Sequence, residues 1–198
     1  MSTTSTLAVP VLSTIVDALE NIVSGVPPSR EQAVRTPAAA ARALARKAAA
    51  RAAALSGALA LPPGVLGMLT VLPDLFAIWR VQAQLVSDIA GLYGKDMQLT
   101  RSHMVYCLFR HAATQFARDV AVRTGQRLVI HQLSSGALRS LLSSIGVTMT
   151  QRLAGTAASR WVPVAGAAAV AAYAYFDTMQ VAKTAIKLLE TPTLTVPE

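Results

Sequence analysis

The stretch Pro73 to Gly94, PDLFAIWRVQAQLVSDIAGLYG, decides the fold. Its apolar residues Leu75, Ile78, Trp79, Leu85, Val86, Ile89 and Tyr93 recur at three- and four-residue spacing, which lines one face of an α-helix. Gln82 interrupts that face near its middle. Gly94 supplies the left-handed residue with which helices commonly close. The spacing predicts a helix from about Pro73 to Tyr93.

Towards the N-terminus, Leu12, Ile15, Val16, Leu19, Ile22 and Val23 share a second helical face, stopped by Ser24-Gly25 and by Pro27 and Pro28. Residues 1–28 therefore read as an amphipathic helix and linker. Ser29 with Gln32 three residues later reads as a capping box, and Pro37 suits a first helical turn. From Pro37 to about Leu61 the chain is dense in alanine, the best helix former. Pro62-Pro63 ends that helix, and a short apolar segment, Gly64 to Val71, follows.

Towards the C-terminus, Thr100 can cap a helix from Arg101 to Thr124, closed by Gly125. Another starts near Ser134 or Ser135 and carries Leu138, Leu141, Leu142, Ile145 and Val147. The last runs from about Val162 to Leu189 with Pro163 in its first turn, and Thr191-Pro192 begins a tail over 191–198. No segment alternates with a period of two for long enough to argue a sheet. The expected fold is all-α: a compact multi-helix bundle with two apolar segments interrupted by glycine and proline, its main domain over 29–190.

Composition bears on function. Hydrophobic residues make up 53% of the 198 and charged residues 14%, against about 25% charged in ordinary globular chains. So much apolar surface needs cover: neighbouring helices, a partner, further copies in a homo-oligomer, or lipid. The net charge of +8 favours anionic partners, although arginine over lysine with abundant alanine is also what a GC-rich coding sequence yields. One cysteine, Cys107, excludes an internal disulfide framework and a cysteine-based zinc knuckle. The first charge is Asp17, so no basic region precedes the early apolar stretch, and a cytoplasmic location is the expectation.

Two stretches raise the question of a membrane. Ala52 to Pro73 runs 22 residues without a charge and Trp161 to Phe176 runs 16, where a spanning helix needs about 20. Pro62, Pro63 and Gly64 break the first, and the second is short and mostly alanine. Core helices of a bundle, interfacial segments and inserted hairpins all remain open. Arg42, Arg46, Lys47 and Arg51 lie directly before the first stretch. Arg42 and Arg46 share one helical stripe, and Lys47 and Arg51 a second. They are the candidate lipid- or anion-binding residues.

Within Leu72 to Asp96, the residues Pro73, Asp74, Ile89, Ala90, Tyr93, Gly94 and Asp96 resemble the EcsC family, whose pattern there is Pro-Asp, an apolar helix, then Ile-Ala-x-x-Tyr-Gly and Asp. Trp161 to Ala185 is similar to that family's second block, a Pro-x-x-Gly motif before a small-residue helix, with Ala168 to Ala172 plainer than the family pattern. The likeness covers roughly residues 40 to 190, and related GTPase-associated helical domains share the first motif. It implies an all-helical bacterial protein of poorly defined activity, loosely linked to an ABC transporter and secretion. It carries over no catalytic residue.

Candidate chemistry is sparse. His103, Cys107 and His111 stand at i, i+4 and i+8 on one predicted helix, a spacing that can hold a metal with His131 or Asp119 as fourth ligand. The same spacing suits a small core cysteine with helical neighbours, and that plainer reading stands: no metal and no cofactor is expected. Cys107 and His111 as nucleophile and base lack an oxyanion loop. Asp74 sits where a helix macrodipole favours a carboxylate. It is also a candidate functional acid that could pair with Arg80 or Arg101, and Asp177, isolated in an apolar helix, is a second. Gly57, Gly64 and Gly67 lack the Lys-Ser/Thr ending of a phosphate loop. The basic stretch Arg30 to Arg51 lacks aromatics for stacking, which argues against nucleic acid. The expectation is a non-enzymatic accessory or scaffold module, peripheral to the inner membrane, binding an anionic membrane surface or a membrane protein. A carrier of lipid or a small apolar ligand, its pocket between the two glycine-bearing blocks, and a hydrolase using Asp74 are the alternatives.

Overall fold

The computed structural model describes residues 13–22, 25–59, 71–110, 135–156 and 163–191. Every regular element among them is helical: α1 over 13–22, α2 (Pro37–Leu59), α3 (Val71–Leu92), a 3-10 turn (Asp96–Gln98), α4 (Arg101–Leu108), α5 (Ser135–Thr156) and α6 (Pro163–Glu190). The all-α reading holds.

Helix α3 is the hub. Ile78, Trp79, Leu85, Val86 and Ile89 are buried as the periodicity predicts, and Tyr93 is half-buried just past the helix end. The end itself is a Schellman motif: Gly94, at φ 64°, donates its N–H to Gly91 O at 2.9 Å, and Lys95 donates to Ala90 O at 2.9 Å. The Lys95 ammonium then donates to Leu189 O and Thr191 O at 2.9 and 2.7 Å, placing a cation on the C-terminal carbonyls of α6.

Around α3 one apolar cluster joins Ile15 and Leu19 of α1, Met104, Val105 and Tyr106 of α4, Leu141, Leu142 and Ile145 of α5, and Val181, Leu188 and Leu189 of α6. The described part of segment 1–28 thus packs into the same core as the rest of the chain. Helix α2 packs most extensively on α6 and next on α3. Its buried stripe is Ala41, Ala45, Ala49, Ala52 and Ser56, four-residue steps broken by one of three. On α6 the buried face carries Ala174, Thr178, Ala182 and Ala185. Side chains this small let two helix backbones approach closely, so dispersion between main chains replaces interlocking of long side chains.

Three expectations are corrected. Ser29 does not open a helix: 25–36 is non-helical, and the Ser29 hydroxyl donates to Glu31 O at 3.0 Å and accepts the Glu31 N–H at 3.1 Å, so its capping capacity is spent on a local turn. The helix opened by Thr100 ends at Leu108 instead of running unbroken to Thr124, because Phe109 turns out of it (φ −129°, ψ 38°). Phe109 meets Trp79 edge-to-face there, with ring centroids 5.4 Å apart. Residues 111–134 lie outside the described residues, as does the Pro62-Pro63 break. Val147, expected on the apolar face of α5, is 40% exposed.

Candidate functional site

The non-helical strand of chain from Gly25 to Thr36 lies as a strap along one flank of α3. Ser87 donates its hydroxyl hydrogen to Pro27 O, and Gln84 Nε2 donates to Pro28 O at 3.0 Å. Arg30 N–H donates to Asp88 Oδ1 at 2.8 Å, and Val34 N–H donates to Leu92 O at 3.1 Å. Gly91 makes the seating close: a Cβ there would overlap the Ser29 hydroxyl and the Glu31 carbonyl. The polar flank of α3 that receives the strap is Gln84, Ser87 and Asp88, opposite the apolar face.

Beside the strap, α1, α2 and α3 enclose an open cleft of about 660 Å³. Four cations line it: Arg30 from the strap, Lys47 and Arg51 from α2, and Arg80 from α3. Among the described lining residues Asp88 is the one acid. Asp88 is 7% exposed and already accepts from Arg30 N–H and from Gln84 Nε2, the latter at 2.7 Å. The cleft also has an apolar wall of Ile22, Leu44, Phe76 and Val81, and Phe76 rests against Trp79 with centroids 5.8 Å apart.

All four cations singled out on α2 are exposed, as expected of a solvated basic face. They fall on the two stripes expected of them. Lys47 and Arg51, one stripe, line the cleft, whereas Arg42 and Arg46, the other, do not. Arg42 stands near Tyr93, whose hydroxyl donates to Glu190 Oε1 at 3.3 Å. Burial, with the Glu190 charge and this hydrogen bond, raises the Tyr93 pKa above its ordinary value, and Arg42 opposes the rise. Arg30, Arg46, Lys47, Arg51 and Arg80 form no ion pair with a described carboxylate; Arg139 and Glu20 form one elsewhere, at 2.9 Å. Sequence reasoning missed Arg30, Gln84 and Asp88 as site residues and assigned Arg80 only as a partner for Asp74. A signal was present: Arg80, Gln84 and Asp88 fall at i, i+4 and i+8, a polar stripe along the most apolar helix.

The remaining candidates resolve differently. The Asp74 backbone lies in the first turn of α3, but its side chain and that of Pro73 are outside the described residues. Asp177 accepts from Gln82 Nε2 at 2.8 Å, and the same amide reaches Thr178 Oγ1 at 3.3 Å. Burial raises the Asp177 pKa above the usual carboxylate range, partly offset by that hydrogen bond. Gln82 is fully buried and its Oε1 has no partner among the described residues. His103 spends Nδ1 accepting the Thr100 N–H at 3.2 Å, half of a capping box that starts α4. Cys107 is a core residue whose thiol burial pushes up to about 12, so it holds its proton and is a poor nucleophile. His111, His131 and Asp119 lie outside the described residues.

Among the described residues no helix is long and apolar enough to cross a membrane. Two aromatics of the second uncharged stretch, Tyr173 and Phe176, are nonetheless 62% and 67% exposed. No family model matches this chain, and no curated protein or solved structure matches it either.

Proposed function

We propose that this protein is a non-enzymatic helical binding module that docks on anionic membrane surfaces, an accessory or scaffold of the EcsC-like kind. The observation that carries the reading is the row of exposed cations on α2, of which Arg46, Lys47 and Arg51 have no carboxylate partner among the described residues. Arginine and lysine held out from a rigid helix without counter-charges are free to meet phosphate head groups, each contributing about 1 kcal/mol at an anionic surface. Exposed Tyr173 and Phe176 suit the polar–apolar boundary of a bilayer. The motif resemblance from Pro73 to Gly94 is in keeping with such a role.

The test is flotation with anionic and zwitterionic liposomes. The protein is expected to float with anionic vesicles at low salt and to be released as salt screens the attraction. Reversing Arg42, Arg46, Lys47 and Arg51 to Glu is expected to lower the bound fraction at least about tenfold without changing the thermal melt. Unchanged flotation of that variant sinks the reading.

A carrier of a lipid or small apolar ligand is a second reading, favoured by the partly apolar cleft. That cleft lies between α1, α2 and α3, not between the two glycine-bearing blocks. The hydrolase alternative has no comparable support: the Asp74 side chain is outside the described residues, and Asp177 is engaged by an amide in the interior.

A further inference from the structure

We infer that the cleft between α1, α2 and α3 is a site for the phosphomonoester head group of a single anionic lipid, with the start of its hydrocarbon laid on the apolar wall. The inference deepens the membrane-docking reading and rests on it for the lipid source of the phosphate.

The charge arrangement argues first. Arg30, Lys47, Arg51 and Arg80 come from three separate parts of the chain and converge on one concavity, against one carboxylate. Asp88 accepts from the strap's Arg30 N–H and from Gln84 through Oδ1, so it serves as a fixing point, and its single charge still leaves the cations in excess. The four cations are solvent-exposed around an open cleft, where like charges still repel one another, though solvent screens them. A group carrying between one and two negative charges at neutral pH, as a phosphomonoester does, relieves that repulsion. Three of the four cations are arginines, whose planar forks suit paired bonds to phosphate oxygens. A zwitterionic head group would bring its ammonium to a cleft in which the described cations outnumber the carboxylate.

The wall argues second. Inorganic phosphate needs no hydrocarbon surface, yet Ile22, Leu44, Phe76 and Val81 form one immediately beside the cations. The volume of about 660 Å³ falls inside the range of roughly 300–1,000 Å³ common for sites that hold one small ligand. The strap argues third. Arg30 reaches the cleft only because Asp88, Ser87 and Gln84 hold 27–30 on α3 and Gly91 lets the chain lie close.

The experiment titrates the full chain, by calorimetry at low salt, with dioctanoyl phosphatidic acid, dioctanoyl phosphatidylcholine and inorganic phosphate. The phosphatidic acid is expected to bind one per chain and at least about tenfold tighter than either other probe, the difference that one or two charge-assisted hydrogen bonds or a few buried methylenes make. Arg30→Gln and Arg80→Gln are each expected to weaken it about tenfold, while Arg46→Gln, outside the cleft, leaves it within about twofold. Arg80→Lys, which keeps the charge, is expected to recover part of the loss, and an unchanged thermal melt shows that the variants fold. Inorganic phosphate binding as tightly as the lipid overturns the inference in favour of a bare anion site, and equal binding of phosphatidylcholine overturns it outright. Equal losses from Arg46→Gln and Arg80→Gln reduce it to diffuse surface charge while leaving membrane docking intact. Tight lipid binding without any flotation on anionic vesicles instead removes the docking reading and keeps the phosphate chemistry of the cleft.

Discussion

Helix α2 meets α6 along one side and the cleft along the other, and the two sides are made of different materials. Towards α6 stand Ala41, Ala45, Ala49 and Ala52, all essentially without solvent exposure. Towards the cleft stand Leu44, Lys47, Ala48 and Arg51, the cations exposed. The first side is lined by buried methyl groups, so larger side chains there have to displace a neighbouring helix. The second carries charge that makes no stabilising pair among the described residues, and it is there at some electrostatic cost. A helix whose one side is filled by methyl groups can present long basic side chains on the other in a fixed register, because its own axis is pinned.

The sharpest way to break the comparison is to enlarge the methyl side. Ala45→Leu is expected to destabilise the fold by about 3 kcal/mol, near the upper end for overpacking, measured by urea denaturation. A loss under about 0.5 kcal/mol, the range of ordinary surface substitutions, would mean that α2 and α6 are not in close contact. Next comes the strap that brings Arg30 to the cleft. Gly→Ala inside a helix ordinarily stabilises by about 1 kcal/mol. At Gly91 the sign is expected to reverse to a loss of about 1–2 kcal/mol, because the new methyl overlaps Ser29 and the Glu31 carbonyl. Phosphatidic acid binding should fall with it, as Arg30 is displaced. A stabilised Gly91→Ala protein would mean that the strap does not lie there.

The smallest effect sharpens the buried side. The pKa of Asp177 is raised in the fold, so the folded state holds its proton more tightly than the unfolded chain does. Its contribution is present at low pH and is lost as pH rises from the ordinary carboxylate value through the raised one. Asp177→Asn is expected to be neutral below that interval and stabilising by up to about 1 kcal/mol above it, since the amide can still bond Gln82 without a charge to bury. Thermal melts at acidic and neutral pH check this, and destabilisation at neutral pH would count against a raised Asp177.

Periodicity carried most of the fold. Helix α3 runs Val71–Leu92 where Pro73 to Tyr93 was expected, and α2 and α6 depart from their expected bounds by one or two residues. Such long helices declare themselves because burial repeats with the helical turn. The strap did not: Ser29 and Gln32 satisfy the local pattern of a capping box, and only distant partners on α3, among them Gln84, Ser87 and Asp88, draw the backbone elsewhere. The bend at Phe109 likewise depends on Trp79, a partner that no local window contains. For the cleft, Lys47 and Arg51 were legible as a stripe on α2. Their union with Arg30 and Arg80 is a product of packing, which spacing within one helix cannot display.

Gln82 gives the bundle an alignment mark. It sits in the middle of an apolar helix face, fully buried, with its amide on Asp177 and Thr178 of α6. Were α3 to slide one turn towards the C-terminus of α6, that amide would face Val181 and Ala182, neither of which has a side-chain hydrogen-bonding group. Stranding a primary amide among such residues costs about 1–3 kcal/mol. The polar interruption therefore opposes that slip and adds a hydrogen-bonded mark to the fit of α3 on α6.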